Sequence, residues 1–285
     1  MAGCGTSDSD EAATSDALPS ESAISLPVTP VTTELVDSGA EPRSVLEYEP
    51  AGEQSVVLTT SSTVTQQIDD QAVQDFSTPE LALPLTATAP DDGDVIELVI
   101  GEATSSDQRL TDALAAAEGS EAGLTVTDSG AVTALSISPD ANTEDAARAA
   151  IEQALNQAVY RSVSFPREDI GVGAVWTSEQ QVISGLTLNQ TTTATLRERD
   201  GERLTIDLQI EQTPESTTLE LPDGAGSLAI DAYTMKGTGT LEIDLGEPLP
   251  TAGEVTVAGS QQYSDPEGTT VLHQDISDSL RWTTP

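Results

Sequence analysis

From Ser178 onward, apolar and polar side chains alternate with a period of two. Val182, Leu186, Leu188, Ala194 and Leu196 fall on one face, and Gln181, Thr187, Asn189, Thr191, Thr193 and Thr195 on the other. That pattern predicts one long strand with a single buried side. Asp200-Gly201 supplies a tight hairpin turn, after which Leu204, Ile206, Leu208 and Ile210 alternate with Thr205, Asp207, Gln209 and Glu211. The same grammar returns at Leu228 and Ile230, at Leu241, Ile243 and Leu245, at Val255 and Val257, and at Leu272, Ile276, Leu280 and Trp282. A meander of antiparallel strands follows, with Gly237 and Gly239 marking a bend or bulge that curves the sheet.

The first half is less regular. Strands are expected near residues 44–48, 55–66, 95–100, 124–127 and 132–137. A short helix over residues 108–118 is capped by Ser106 or Asp107, carries Leu110, Leu114 and Ala117 on one face, and stops at Gly119. A longer helix begins after Asn142, has Glu144 and Asp145 in its first turn, and runs to about Arg161. Its stripe of Ala147, Ile151, Ala154, Leu155, Ala158 and Val159 can lie close against a sheet. Residues 69–93, with three prolines and the turn Asp91-Asp92-Gly93-Asp94, read as a long loop, either disordered or a lid. The fold class expected is α+β, mainly antiparallel β: a strongly curved, half-barrel-like sheet with two helices on its apolar face.

Charge narrows the partners. Forty-nine Asp and Glu stand against ten Lys and Arg, a formal net charge of −39, which repels nucleic acid and anionic head groups. The single cysteine, Cys4, rules out an internal disulfide and a cysteine metal cage within this chain. Ala2-Gly3-Cys4 resembles the end of a bacterial lipoprotein signal, which implies acylation at Cys4, although no basic and apolar leader precedes it here. Residues 5–42 are rich in Ser, Thr, Asp and Glu, are interrupted by Pro19, Pro27, Pro30 and Pro42, and carry no basic residue. They read as a disordered acidic tether, giving a division into residues 1–42, lipobox-like terminus and tether, and residues 43–285, one β-rich domain. The localisation this implies is extracytoplasmic, at a cell membrane through the lipid.

Phe165-Pro166, Gly171-Val172-Gly173-Ala174-Val175-Trp176 and Gly237-Thr238-Gly239-Thr240-Leu241 resemble an uncharacterised family of secreted bacterial lipoproteins over residues 43–285. That resemblance brings no activity with it. More loosely, a one-sided sheet with helices on its apolar face is similar to the half-barrels of lipoprotein carriers and of mycobacterial-type lipid-binding lipoproteins, which implies acyl chains held in the concavity.

Catalytic chemistry is sparse. His273 is the one histidine, beside Asp275 on the same face, with no Gly-x-Ser-x-Gly elbow, no HExxH, no phosphate-binding loop and no complete dinucleotide fingerprint. One His and one Cys do not make a zinc site, and Asp91, Asp92 and Asp94 match no calcium-loop spacing. Trp176 and Trp282 read as core residues. The expectation is therefore no enzyme, no cofactor and no metal. Instead, a surface lipoprotein would bind a lipid or an apolar or amphipathic small molecule, with Leu186, Leu188, Ile206, Leu208 and Ile230 as lining candidates. The alternative is an envelope interaction module with a filled core and no ligand.

Overall fold

The computed structural model describes residues 24–90, 94–221 and 226–285. In chain order these form β1 (Ile24–Pro27), β2 (Thr32–Asp37), β3 (Gly52–Ile68), β4 (Gln74–Asp75), β5 (Thr78–Ala89), β6 (Val95–Ile100), β7 (Thr104–Ser105), α1 (Gln108–Leu114), β8 (Glu121–Val126), β9 (Val132–Ser138) and α2 (Asp145–Tyr160). There follow β10 (Val175–Ser184), β11 (Leu186–Asp200), β12 (Arg203–Pro214), β13 (Thr218–Glu220), β14 (Ser227–Asp244), β15 (Ala252–Ser264) and β16 (Val271–Thr283). The strands make one 16-stranded antiparallel sheet, hydrogen-bonded in the order β1-β9-β8-β6-β5-β3-β16-β15-β14-β12-β11-β10-β2, with β4, β7 and β13 as short side pairings. The path is not closed. It begins at β1 and ends at β2, two strands that follow one another in the chain.

One apolar cluster fills much of the inward face. Leu58 of β3, Leu83 of β5, Leu98 of β6, Ile206 of β12 and Val255 of β15 meet Ala147, Ile151 and Leu155 of α2 there. The alanines of α2 let its backbone come close to the strands, so the helix stripe is buried as its spacing requires. Helix α1 is capped by the Asp107 carboxylate, which accepts from the Arg109 N–H at 2.8 Å. It continues as a short 3-10 turn over Ala115–Ala117 and ends at Gly119, whose φ of 82° suits glycine. Trp176 and Trp282 are both buried.

Several expectations need correction. The single strand expected from Ser178 to Leu196 is a hairpin: Gly185, at φ 68°, reverses the chain so that Ser184 pairs with Leu186 and Val182 with Leu188. Both arms keep their alternation, which is why the turn is invisible in the pattern. Part of the expected tether is also structured, since β1 pairs with β9 and β2 with β10. An edge strand gains its hydrogen bonds from a sheet that already exists and needs little apolar surface of its own, so composition averaged over forty residues conceals it. Cys4 lies outside the described residues, as does the rest of the stretch before Ile24.

Residues 69–93 hold β4 and the long strand β5, where Leu81, Leu83, Leu85, Ala87 and Ala89 are buried at strictly alternate positions. Pro84 is tolerated because it falls between the β6 pairing, which ends at Leu85, and the β7 pairing at Leu81 and Ala82. Asp91, Asp92 and Gly93 lie outside the described residues. Residues 44–48 form no strand, only the bridge between Ser44 and Ile170. The register shift in β14 falls between Ile230 and Ala232 rather than at its glycines. Gly237 and Gly239 instead allow close approach, because a Cβ at 239 would strike Val255 and the Glu254 carbonyl.

Candidate functional site

The inward face changes character partway along the strands, and it does so at nearly the same level on each. On β12 the buried run Leu204, Ile206, Leu208, Ile210 is followed at the same parity by Gln212. On β11 Leu196 and Ala194 give way to Thr192 and then Gln190. Val255 and Val257 of β15 give way to Gly259 and Gln261, and Leu280 of β16 to Asp278 and Gln274. Register aligns these switches: Gln190 lies opposite Gln212, Met235 opposite Gly259, and Gln261 opposite Gln274, which in turn faces Gln66 of β3.

Two spaces result. At the apolar end the side chains interlock, leaving a cavity of about 70 Å³ bordered by Leu85, Leu98, Leu155, Phe165, Leu249 and Trp282. Trp176, wholly buried in the same cluster, donates its indole N–H to the Ser164 carbonyl at 2.8 Å, with its ring 6.4 Å from that of Phe165. At the other end lies a cleft of about 450 Å³, within the range of small-molecule sites. Its lining is mixed: Val182, Leu186, Leu188, Met235 and Ile276 among Tyr160, Tyr233, Tyr263 and six glutamines. A second small apolar cluster of Tyr160, Val182 and Leu188 forms one wall, with Leu186, Tyr233 and Val28 packed on it.

The polar groups of this cleft are organised. The last carbonyls of a helix need external partners. At the end of α2 the Arg161 N–H donates to the Ala158 carbonyl and the Ser162 N–H to the Val159 carbonyl, while the Gln190 side-chain amide donates 2.8 Å to the Tyr160 carbonyl. Gln212 donates in turn to Gln190 Oε1 at 2.8 Å, fixing its orientation. Tyr263 donates its hydroxyl to Gln261, and Gln274 donates to Gln66 at 3.0 Å. Burial raises the ionisation of Tyr233 and Tyr263 above the ordinary phenol range, helped at Tyr233 by the nearby Tyr263 and Asp278.

Among the described residues, Arg161 and Asp278 are the only charged ones lining the cleft. In a chain with 49 acidic residues, this lining carries one carboxylate. Arg161 sits where the two spaces adjoin and borders both. Its guanidinium is 4.0 Å from the Asp278 carboxylate and donates to Gln157 Oε1 at 3.3 Å. Desolvation lowers its affinity for its proton, and Asp278 offsets this only in part.

Of the lining candidates read from sequence, Leu186 and Leu188 border the cleft. Ile206 and Leu208 are packed into the main apolar cluster instead, and Ile230 is half-buried on β14 away from the cleft. Period-two reading gives the face but not the level along the strand at which packing ends. The glutamines, the tyrosines and Arg161 were missed; the signal was present as polar residues at core parity. His273 and Asp275 are exposed on the outer face. Among the described residues no three His, Cys, Asp or Glu side chains gather as a metal site, and no helix is long and apolar enough to cross a membrane.

No family model matches the chain, and no curated protein matches it. Among solved structures, one described as "Cell entry of botulinum neurotoxin type C is dependent upon interaction with two ganglioside molecules" is 8% identical. It covers 90% of this chain and 92% of that one, with a TM-score of 0.14, a likeness that carries no argument.

Proposed function

We propose that the protein binds an amphipathic ligand inside a curved sheet, at the glutamine- and tyrosine-lined end beneath α2, and that it does so outside the cell, tethered to a membrane by acylation at Cys4. The observation that carries the reading is the division of one inward face into a packed half and a 450 Å³ cleft with both apolar and hydrogen-bonding walls. A monomer whose core only had to be filled would continue leucine and isoleucine to the strand ends.

Chain connectivity supports the curvature. The two ends of the hydrogen-bonded path, β1 and β2, are joined by residues 28–31, a link that spans about 18 Å when extended. Thirteen strands laid flat would separate those ends by about 58 Å at about 4.8 Å per strand. The link also carries Val28 onto the cleft wall and the Thr29 hydroxyl onto the Gln181 carbonyl. Acylation rests on Ala2-Gly3-Cys4 alone.

The filled apolar end favours a second reading, an interaction module without a ligand. Organic extraction of the purified protein, followed by mass spectrometry, separates the two. The binding reading expects an extractable amphiphile near one equivalent, or saturable uptake of a neutral long-chain probe by protein that carries none. Absence of both leaves the interaction module.

A further inference from the structure

Resting on that reading, we propose that Arg161 is the anchor for an oxyanion headgroup, a carboxylate or phosphate ester, on the amphiphile held in the cleft. The guanidinium carries five N–H donors in a fixed fork suited to two oxygens. Its side chain is 8% exposed, yet among the described residues it makes a single side-chain hydrogen bond, at 3.3 Å to Gln157. Asp278 does not take up the remainder, because 4.0 Å is beyond hydrogen-bond length. Asp278 is also served elsewhere: Ser62 Oγ donates to its Oδ1 at 2.5 Å, and its side chain is 26% exposed. Of the two charged groups in the cleft, the cation is therefore the one short of partners.

The position suits a headgroup. Arg161 stands at the junction of the cleft and the apolar cavity, so a ligand oxyanion placed there has the Leu186, Leu188 and Ile276 surface within the same cleft for its chain. The net charge of −39 does not forbid an anion at this point. Exposed charges are screened over about 8 Å at physiological salt, whereas a buried guanidinium acts at contact with little screening.

The test uses the full chain and a matched set of twelve-carbon ligands, laurate, dodecyl phosphate, dodecanol and dodecylammonium, each below its aggregation threshold. Binding is followed by calorimetry at neutral pH. Laurate and dodecyl phosphate are expected to bind about tenfold or more tightly than dodecanol, with the ratio between the two anions naming the preferred headgroup. Arg161→Gln removes that preference and leaves dodecanol affinity unchanged; a merely structural arginine would weaken all ligands alike. Asp278→Asn, which removes the competing carboxylate, strengthens laurate binding. Should Arg161→Gln fail to fold, Asp278→Asn still decides. Equal affinity for dodecanol and laurate in the unaltered protein, or tightest binding of dodecylammonium, overturns the anchor while leaving the cleft as a binding site. No saturable binding of any of the four overturns the cleft itself.

Discussion

The two ends of the interior are built from the same strands and the same face, yet they are packed by different rules. At the apolar end, Leu58, Ile206, Val255 and Trp176 are almost wholly excluded from solvent and the remaining space is about 70 Å³. At the other end, β11, β12, β15 and β16 place Gln190, Gln212, Gln261 and Gln274 around 450 Å³. The first end is held by close packing, in which a missing methylene leaves a void. The second is held by paired amides, each fixed by another protein group, and stays open because those groups are satisfied without filling the space. On the proposed reading, stability and recognition are separated along the strand axis.

The sharpest break in that comparison is Trp176→Ala. It empties the site of the largest fully buried side chain and orphans the Ser164 carbonyl, so a loss of about 3–5 kcal/mol is expected in urea unfolding. A loss below about 1 kcal/mol would mean that the apolar end is not close-packed. Next comes Gln190→Leu at the other end. The residue is larger in apolar surface but leaves the Tyr160 carbonyl at the end of α2 and the Gln212 amide unpaired. A cost of about 1–3 kcal/mol is expected, together with faster amide exchange in the last turn of α2. If instead the variant is more stable, the polar end is an imperfect core rather than an organised surface.

Tyr48→Phe is the gentlest probe and works through pH. Tyr48 borders the apolar cavity, donates 2.7 Å to the Pro248 carbonyl, and is pushed by burial well above its ordinary ionisation range. A phenol whose folded pKa is raised contributes stability that is complete below about 10, the unfolded value, and is lost as pH climbs toward the folded one. The phenylalanine variant should therefore lose about 1 kcal/mol at neutral pH and show a shallower decline above pH about 10. Parallel stability curves for the two proteins through the alkaline range would contradict the assignment. Tyr233 and Tyr263 in the cleft keep part of the slope in both.

Much of the sheet was legible because alternation reports which face is buried. Leu204 to Ile210 on β12, the Asp200-Gly201 hairpin with Gly201 at φ 65°, and the cap at Asp107 all appear where the residue pattern puts them. What escaped was information the alternation does not hold. Gly185 turns the chain without disturbing parity. Residues 24–27 and 32–37 join the sheet by backbone pairing, which needs no apolar signature. The site escaped for a related reason: reading the apolar members of β11 passes over Gln190 and Thr192, although both occupy the core face. A polar residue at core parity on one strand is ambiguous. Its recurrence at Gln212, Gln261 and Gln274 becomes meaningful only when register aligns them.

The most direct test is a fluorescence titration with a neutral probe, a dansyl amide bearing a twelve-carbon chain, against the unaltered protein and Ile276→Trp. Ile276 lines the cleft opposite Gly259, which offers no side chain in return, so the larger ring fills the cleft; because Ile276 also packs against the margin of the apolar cluster, a cooperative melt is the check that the apolar end is intact. The account predicts saturable one-to-one binding with blue-shifted emission in the unaltered protein, weakened by about tenfold or more in a variant that still melts cooperatively. Equal binding by the two proteins, or no saturable binding by either, would contradict it.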